Sequence, residues 1–424
     1  MNTEAGSRVV GGGRGGFSLR PKTFSSFKNP VYRLYYGGML GQMAAMNMQL
    51  VVGSLLIYRL TGSAAILGVM SLANAIPMIC LSLFGGIIAD RMQKKYVIII
   101  GQTAFAVVSL SIALALTLGY LSVENPGSWW ILVISSMLQG STMALILPSR
   151  QAIIGEIVGG EQLMNAISLN VMGMNALQIL APALAGFLVD AFDFEAVYYT
   201  MTGMYLMAVV FIALLPLTGT TVKGGVSALT SIKEGLNYVR HDTIILIVLL
   251  FTLFAILLAM PYIILLPIFA DDILKVGASG MGVLMSVSGV GAMIGSLVLA
   301  SLPNKKRGLL LLASGVLSGS ALAGFAFSSV WPLSLTLIVF VGLGQSGRMA
   351  LSNTLLQYYV KNEYLGRVMS LFLMQLGLAS FGSFAAGVLA EAIGVQWAIG
   401  GFAIILVFVS IMALSFVPRL RRLE

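Results

Sequence analysis

Residues 62–88 pass without a single charged side chain, and the run then stops at Asp90-Arg91 with Lys94 and Lys95 close behind. A helix needs only about 20 apolar residues to cross the hydrocarbon core of a bilayer. The stretch therefore predicts a membrane span that ends in a compact charged turn. Comparable runs recur at 31–58, 96–120, 129–152, 162–189, 195–217, 243–270, 277–302, 308–328, 331–359, 364–390 and 394–417. Twelve spans use nearly the whole chain and predict an all-α membrane protein with twelve transmembrane helices. Of the 424 residues, 58% are hydrophobic and only 9% charged, so a soluble domain could not cover itself with polar surface.

The net charge of +9 does not point to nucleic acid, because the charges are sorted by position. With the N-terminus placed in the cytoplasm, only Arg59 and Lys275 of the 24 Lys and Arg residues fall on the opposite side, and Arg348 falls inside a span. This positive-inside pattern predicts both termini on the cytoplasmic side of a bacterial cytoplasmic membrane, with the bilayer as the large partner. The lone Cys80 lies in the second run and allows no intramolecular disulfide. His241 sits in the central loop, and no His, Cys or carboxylate cluster has metal-ligand spacing. Neither a metal nor another cofactor is expected.

Internal similarity divides the chain. Glu161-x-x-x-Asn165-Ala166-Ile167-Ser168-Leu169 is answered by Glu363-x-x-x-Arg367-Val368-Met369-Ser370-Leu371, and Gly186…Asp190 by Gly387…Glu391, at offsets of 202 and 201 residues. Two six-helix pseudo-symmetric bundles in parallel register follow. Residues 1–28, rich in Gly, Ser and basic side chains, read as a disordered cytoplasmic tail. Residues 29–217 form the N-terminal bundle, 218–242 a cytoplasmic linker, 243–418 the C-terminal bundle and 419–424 a second tail. Within the linker, residues 232–240 alternate apolar and charged positions as an interfacial amphipathic helix would. Pro261 and Pro267 interrupt the seventh span and predict a kink.

Polar residues inside spans are costly, so their faces matter. Gln42, Met46 and Gln49 share a face of the first span, and Gln139 and Asn175 occupy the fourth and fifth. Either these faces line a watery cavity or their amides bond neighbouring helices. Gln345, Arg348 and Ser352 share a face of the tenth span. Arg348 lies ~20 Å or more along the helix from the end markers Trp331 and Lys361. Its guanidinium lines the C-terminal wall of the substrate cavity, where it would favour anionic or polar substrates, snorkels toward the cytoplasm, or pairs with backbone carbonyls. No span has a carboxylate near its centre. Asp190 and Glu391, at outer helix ends, are the nearest candidate proton carriers.

Gly86-x-x-x-Asp90-Arg91-x-x-Lys94-Lys95 resembles the loop motif of the major facilitator superfamily, although Gln93 stands where that family usually has glycine. Ala181-Pro182-x-x-Ala185-Gly186 resembles a degenerate form of its antiporter motif. Three further stretches look like the bacterial branch that includes the enterobactin exporter and macrolide-efflux proteins. They are Leu60-Thr61-Gly62-Ser63, Arg150 through Glu156 to Asn170, and Lys233-Glu234-Gly235-Leu236-x-Tyr238-Val239-Arg240. The resemblance implies alternating-access export of small amphipathic molecules (drugs, siderophores or related metabolites), driven by protons and performed by a monomer. It also implies that Gly86, Asp90, Arg91, Lys94, Lys95 and Arg150 form a cytoplasmic gate latch.

Other readings differ in what they require. Uptake or lipid flipping would use the same fold, and a non-transporting scaffold or sensor would carry a signalling domain. An ATP-driven pump would need a Gly-rich phosphate loop followed by Lys and Ser/Thr; the Gly11–Gly16 stretch has neither a preceding strand nor that ending. A membrane enzyme would need convergent titratable groups, and the sequence offers none.

Overall fold

Asn29 and Pro30 open the first span. The Asn29 side chain accepts from the backbone N–H groups of Val31 (2.9 Å) and Tyr32 (3.4 Å), and a proline at the first helical position forfeits no bond. This helix, α1 (Pro30–Thr61), stops where Gly62 turns left-handed at φ 63°. Ser63 then caps α2 (Ala64–Arg91) by accepting from Ile66 N–H. Leu60-Thr61-Gly62-Ser63 is thus a stop and a start written in four residues. The computed structural model describes residues 24–125, 127–217, 228–303, 305–421 and 423. Residues 1–23 of the expected tail, residues 218–227 of the expected linker and the Asp90 side chain lie outside that description.

After two extended residues comes α3 (Lys94–Thr117). Gln93 sits at φ −65° and ψ 122°, ordinary extended backbone, so this turn has no conformational need for glycine. A long run of helix, Trp130–Ala213, contains non-helical backbone at Gly159 (φ 66°) and Asp193 (φ 65°). It therefore makes three spans: α4 (130–158), α5 (160–192) and α6 (194–213). The linker helix is α7 (Ala228–His241). Its Tyr238 ring stacks on Tyr364 with centroids 4.3 Å apart, and its Glu234 pairs with Arg367 at 2.8 Å. Val239 is buried, so α7 is seated on the C-terminal half.

Asp242 caps α8 (Thr243–Ile273), the seventh span. Its ladder steps at Met260, because Pro261 has no N–H to donate, and it finishes in a π-helical turn, Phe269–Ile273. The remaining spans are α9 (Gly277–Ser301), α10 (Arg307–Ala326), α11 (Trp331–Tyr359), α12 (Asn362–Ile393) and α13 (Val395–Phe416). They make twelve spans in two halves, α1–α6 and α8–α13. The halves repeat one unusual joint: Asp193 after α5 and Gly394 after α12 both have positive φ, 65° and 87°.

At both margins of the described residues, segments expected to be tails are packed onto the bundles. Ser25–Lys28 form a 3-10 turn, and the Ser26 N–H and Oγ donate to Asn165 Oδ1 at 3.0 and 2.8 Å. A short α14 (Pro418–Arg421) buries Leu420 in the base of the C-terminal half. Leu423 is buried beside it and accepts from Gly308 N–H at 3.2 Å.

Candidate functional site

The two halves enclose a central chamber in two lobes that share Leu50, Met260 and Ile263 as a septum. The step in α8 at Pro261 puts Met260 and Ile263 there. The first lobe, about 460 Å³, includes Met46, Gln49, Met70, Asn74, Gln139 and Ser380 in its lining. The second, about 510 Å³, includes Asn47, Asn175, Gln178, Ser288, Gln345 and Asn353. Each volume suits a small-molecule site. Among the described residues, no charged side chain lines either lobe.

Of the residues put forward from sequence, Met46, Gln49 and Gln139 line the first lobe, and Asn175 and Gln345 the second. Gln42, Arg348 and Ser352 do not reach it. Gln42 is buried in the N-terminal half, where the neighbouring Gly41 brings α1 against the Met204 carbonyl of α6. Arg348 is 1% exposed, and its Nε and Nη1 have no hydrogen-bond acceptor. Its neighbours Gly344 and Gly347 pack on Ser314 of α10, and the Ser352 hydroxyl pairs with Thr252 of α8 at 2.7 Å. The cavity-wall reading of Arg348 is thus corrected: its face turns into its own bundle. Sequence reasoning missed Asn74 and Asn353. Asn74 Nδ2 donates to the Ser136 carbonyl at 3.1 Å, and a Cβ on Gly140 would collide with the Asn74 carbonyl, so the Asn74–Gly140 pair marks the α2–α4 crossing.

The end of the molecule that carries the Lys94–Lys95 turn and the Lys305–Arg307 turn is the basic end; the opposite one is the distal end. At the basic end, Lys94 Nζ lies 2.5 Å from a Glu156 carboxylate oxygen, joining α3 to α4. Lys95 Nζ donates to the Leu215 carbonyl at 2.5 Å, and Arg150 Nη2 lies 3.9 Å from Met43 Sδ. Gly86 has nothing near its Cβ direction, and Arg91 is exposed. Among the described residues, none of these motif contacts crosses to the other half. Lys94 is buried, so Glu156→Gln removes the carboxylate facing a desolvated ammonium. We expect it to lower stability by about 2 kcal/mol, read as a fall in the thermal unfolding temperature of the purified protein.

The distal end is where the halves grip each other. Arg59 on α1 pairs with Asp271 at 2.8 Å, and Tyr58 hydrogen-bonds Asp272. Glu391, at the end of α12, accepts from Ser63 Oγ (3.0 Å) and Ala65 N–H (3.2 Å) at the start of α2. Asp190, at the end of α5, accepts from Ser279 N–H (2.8 Å) at the start of α9. The 201-residue repeat thus places two carboxylates that each bind the first turn of a helix from the opposite half, where helix geometry favours negative charge. Beneath them the backbones touch. A Cβ on Gly186 would collide with the Ala278 carbonyl, one on Gly282 with the Pro182 carbonyl, and one on Gly387 with the Ala64 carbonyl. The chamber is therefore closed distally.

Neither Asp190 nor Glu391 lines the chamber. A carrier must exchange its proton with whichever side the chamber faces, and both carboxylates lie beyond the closure. Their geometry suits a latch. Among the described residues no group of three or more His, Cys, Asp or Glu could hold a metal ion.

Residues 21–424 match a sequence family described as transmembrane secretion effector. The staphyloferrin A transporter of Staphylococcus aureus is 23% identical over 78% of this chain and 83% of its own. Macrolide efflux protein A of Streptococcus pyogenes is 25% identical over 88% of this chain and 92% of its own. Among solved structures, a bacterial homolog of the human lysosomal transporter Spinster, in an inward-facing and unoccupied conformation, superposes with a TM-score of 0.70. That alignment covers 96% of this chain and 99% of the other at 13% identity, a likeness of fold.

Proposed function

The chain belongs to the transmembrane secretion effector family of the major facilitator superfamily, and we propose that it exports small amphipathic molecules across a bacterial cytoplasmic membrane by alternating access. Relatives named for staphyloferrin A and for macrolides point to siderophores, drugs or kindred metabolites. One observation carries the reading: the described polar contacts between the halves are confined to the distal end of a chamber that both halves line. Rocking about the septum would break that grip and close the basic end instead.

In this reading the basic end faces the cytoplasm, with both chain termini, and the conformation described is the one that loads substrate. Asp90, Arg91 and their neighbours would latch the basic end in the other state, while Lys94–Glu156 holds α3 and α4 as one rigid unit. Asp190 and Glu391 hold the distal end shut now. One copy contains a whole chamber, so a monomer suffices. The proton gradient is the proposed driving force.

The test is accumulation of a labelled siderophore or uncharged amphiphilic drug in cells lacking other efflux pumps. We expect expression to lower accumulation severalfold and an uncoupler to restore it. Unchanged accumulation across a broad substrate panel, or accumulation raised by expression, would refute export. Lowered accumulation that an uncoupler does not restore would refute proton coupling alone.

A further inference from the structure

The walls of the chamber and the charges behind them carry a statement about its ligand. Two lobes of similar volume meet at the Leu50–Met260–Ile263 septum, and both mix methionines with neutral amides. Met46, Met70 and Met143 stand with Gln49, Asn74 and Gln139 in the first. Met285, Met293 and Met349 stand with Asn175, Gln345 and Asn353 in the second. Among the described residues, neither lobe offers a counter-charge to an ion.

Behind the walls the charge is of one sign. Among the described residues, the charged side chains that are buried are Lys94 and Arg348, both basic. Arg348 lies between Ser346 and Met349, which line the second lobe, and its side chain turns away into the bundle. A guanidinium does not give up its proton in a protein. Among the described residues it has no acidic partner, and two of its nitrogens lack acceptors, so its charge is not neutralised locally. The Asp and Glu residues flank the spans at the distal and basic ends. Helices of low dielectric screen such a charge poorly, so the second lobe sits at positive potential.

We propose that the chamber selects its ligand by charge, accepting uncharged and anionic amphiphiles and rejecting lipophilic cations, with Arg348 as the specificity-determining residue. The inference rests on this chamber being the substrate site of the proposed exporter. A unit charge on the order of 10 Å from the ligand, at an effective dielectric of about 20, changes affinity by on the order of tenfold.

Three xanthene methyl esters of one skeleton, a cationic rhodamine, an uncharged rhodol and an anionic fluorescein, test this by fluorescence polarisation with the purified full chain. The uncharged dye is expected to bind about tenfold more tightly than the cationic one, and the anionic dye about a further tenfold more tightly. Arg348→Met brings the affinities within about threefold, and Arg348→Lys keeps the order. Gln345→Glu, which puts a carboxylate into the lining without touching the buried arginine, reverses the order. A cation bound by the native protein as tightly as the anion overturns the proposal, and so does an unchanged order in both Arg348→Met and Gln345→Glu. Binding in the expected order by a protein that moves nothing would count against export and leave the charge selection standing.

Discussion

Gly186→Leu is expected to insert and purify like the native protein, yet to lose export to background, a fall on the order of a hundredfold. Gly186 faces the other half: a Cβ there would collide with the Ala278 carbonyl, while across the same seam a Cβ on Gly282 would collide with the Pro182 carbonyl. Small residues let α5 and α9 approach backbone to backbone, and four added carbons at that point hold them apart. The packing inside the N-terminal half is spared, so the cost falls on one conformation. Overpacking of this kind costs about 3 kcal/mol, which by itself moves a two-state equilibrium roughly a hundredfold. Accessibility reads the shift directly. In a Cys80→Ser background, a cysteine replacing Asn353 in the second lobe is shielded from an impermeant maleimide added at the distal side, and Gly186→Leu exposes it. Gly387→Leu, on the opposite flank against the Ala64 carbonyl, is expected to do the same. Native export by either variant, or an unchanged labelling rate, would mean that the distal seam does not close the chamber.

That seam was half legible in the chain. Apolar run lengths and the one-sided placement of basic residues predict twelve spans and their orientation, because the bilayer imposes both rules residue by residue. Ala181-Pro182 and Gly186 read as small residues permitting close approach, and the 201-residue offset pairs Asp190 with Glu391. What each carboxylate touches could not be read. Ser279 lies 89 residues from Asp190 and Ala65 lies 326 from Glu391, and only the assembled halves bring them together. Arg348 shows the second limit. Helical spacing puts it with Gln345 and Ser352, but periodicity says which residues share a side and not what that side meets. Gln345 meets the chamber, while Ser352 meets Thr252 inside the bundle. The linker helix shows a further limit: its alternating pattern reads as an interfacial helix, yet Tyr238 stacks on Tyr364 of the C-terminal half, a partner that the pattern does not name.

The double variant Asp190→Asn, Glu391→Gln opens the distal end without adding bulk, and it separates a latch from a proton carrier. Each carboxylate accepts from the first turn of a helix in the other half. Such a contact is worth roughly 0.5–1 kcal/mol for a solvent-facing group. An amide keeps the shape and loses the charge. Each single change is expected to raise distal labelling of the cysteine at position 353 about threefold, and the pair about tenfold if the two contacts act independently. Salt screens exposed charge contacts, so raising ionic strength speeds labelling of the native protein more than that of the double variant, in which Arg59–Asp271 is the remaining ion pair of the seam among the described residues. Arg59–Asp271 and Tyr58–Asp272 still bridge the halves in the double variant, so the gate loosens without falling open. Export by that variant drops about tenfold, yet the remainder stays sensitive to an uncoupler. Were the two carboxylates the proton carriers, the opposite pattern would follow: labelling would stay native, solute exchange would survive, and what export remained would ignore the proton gradient.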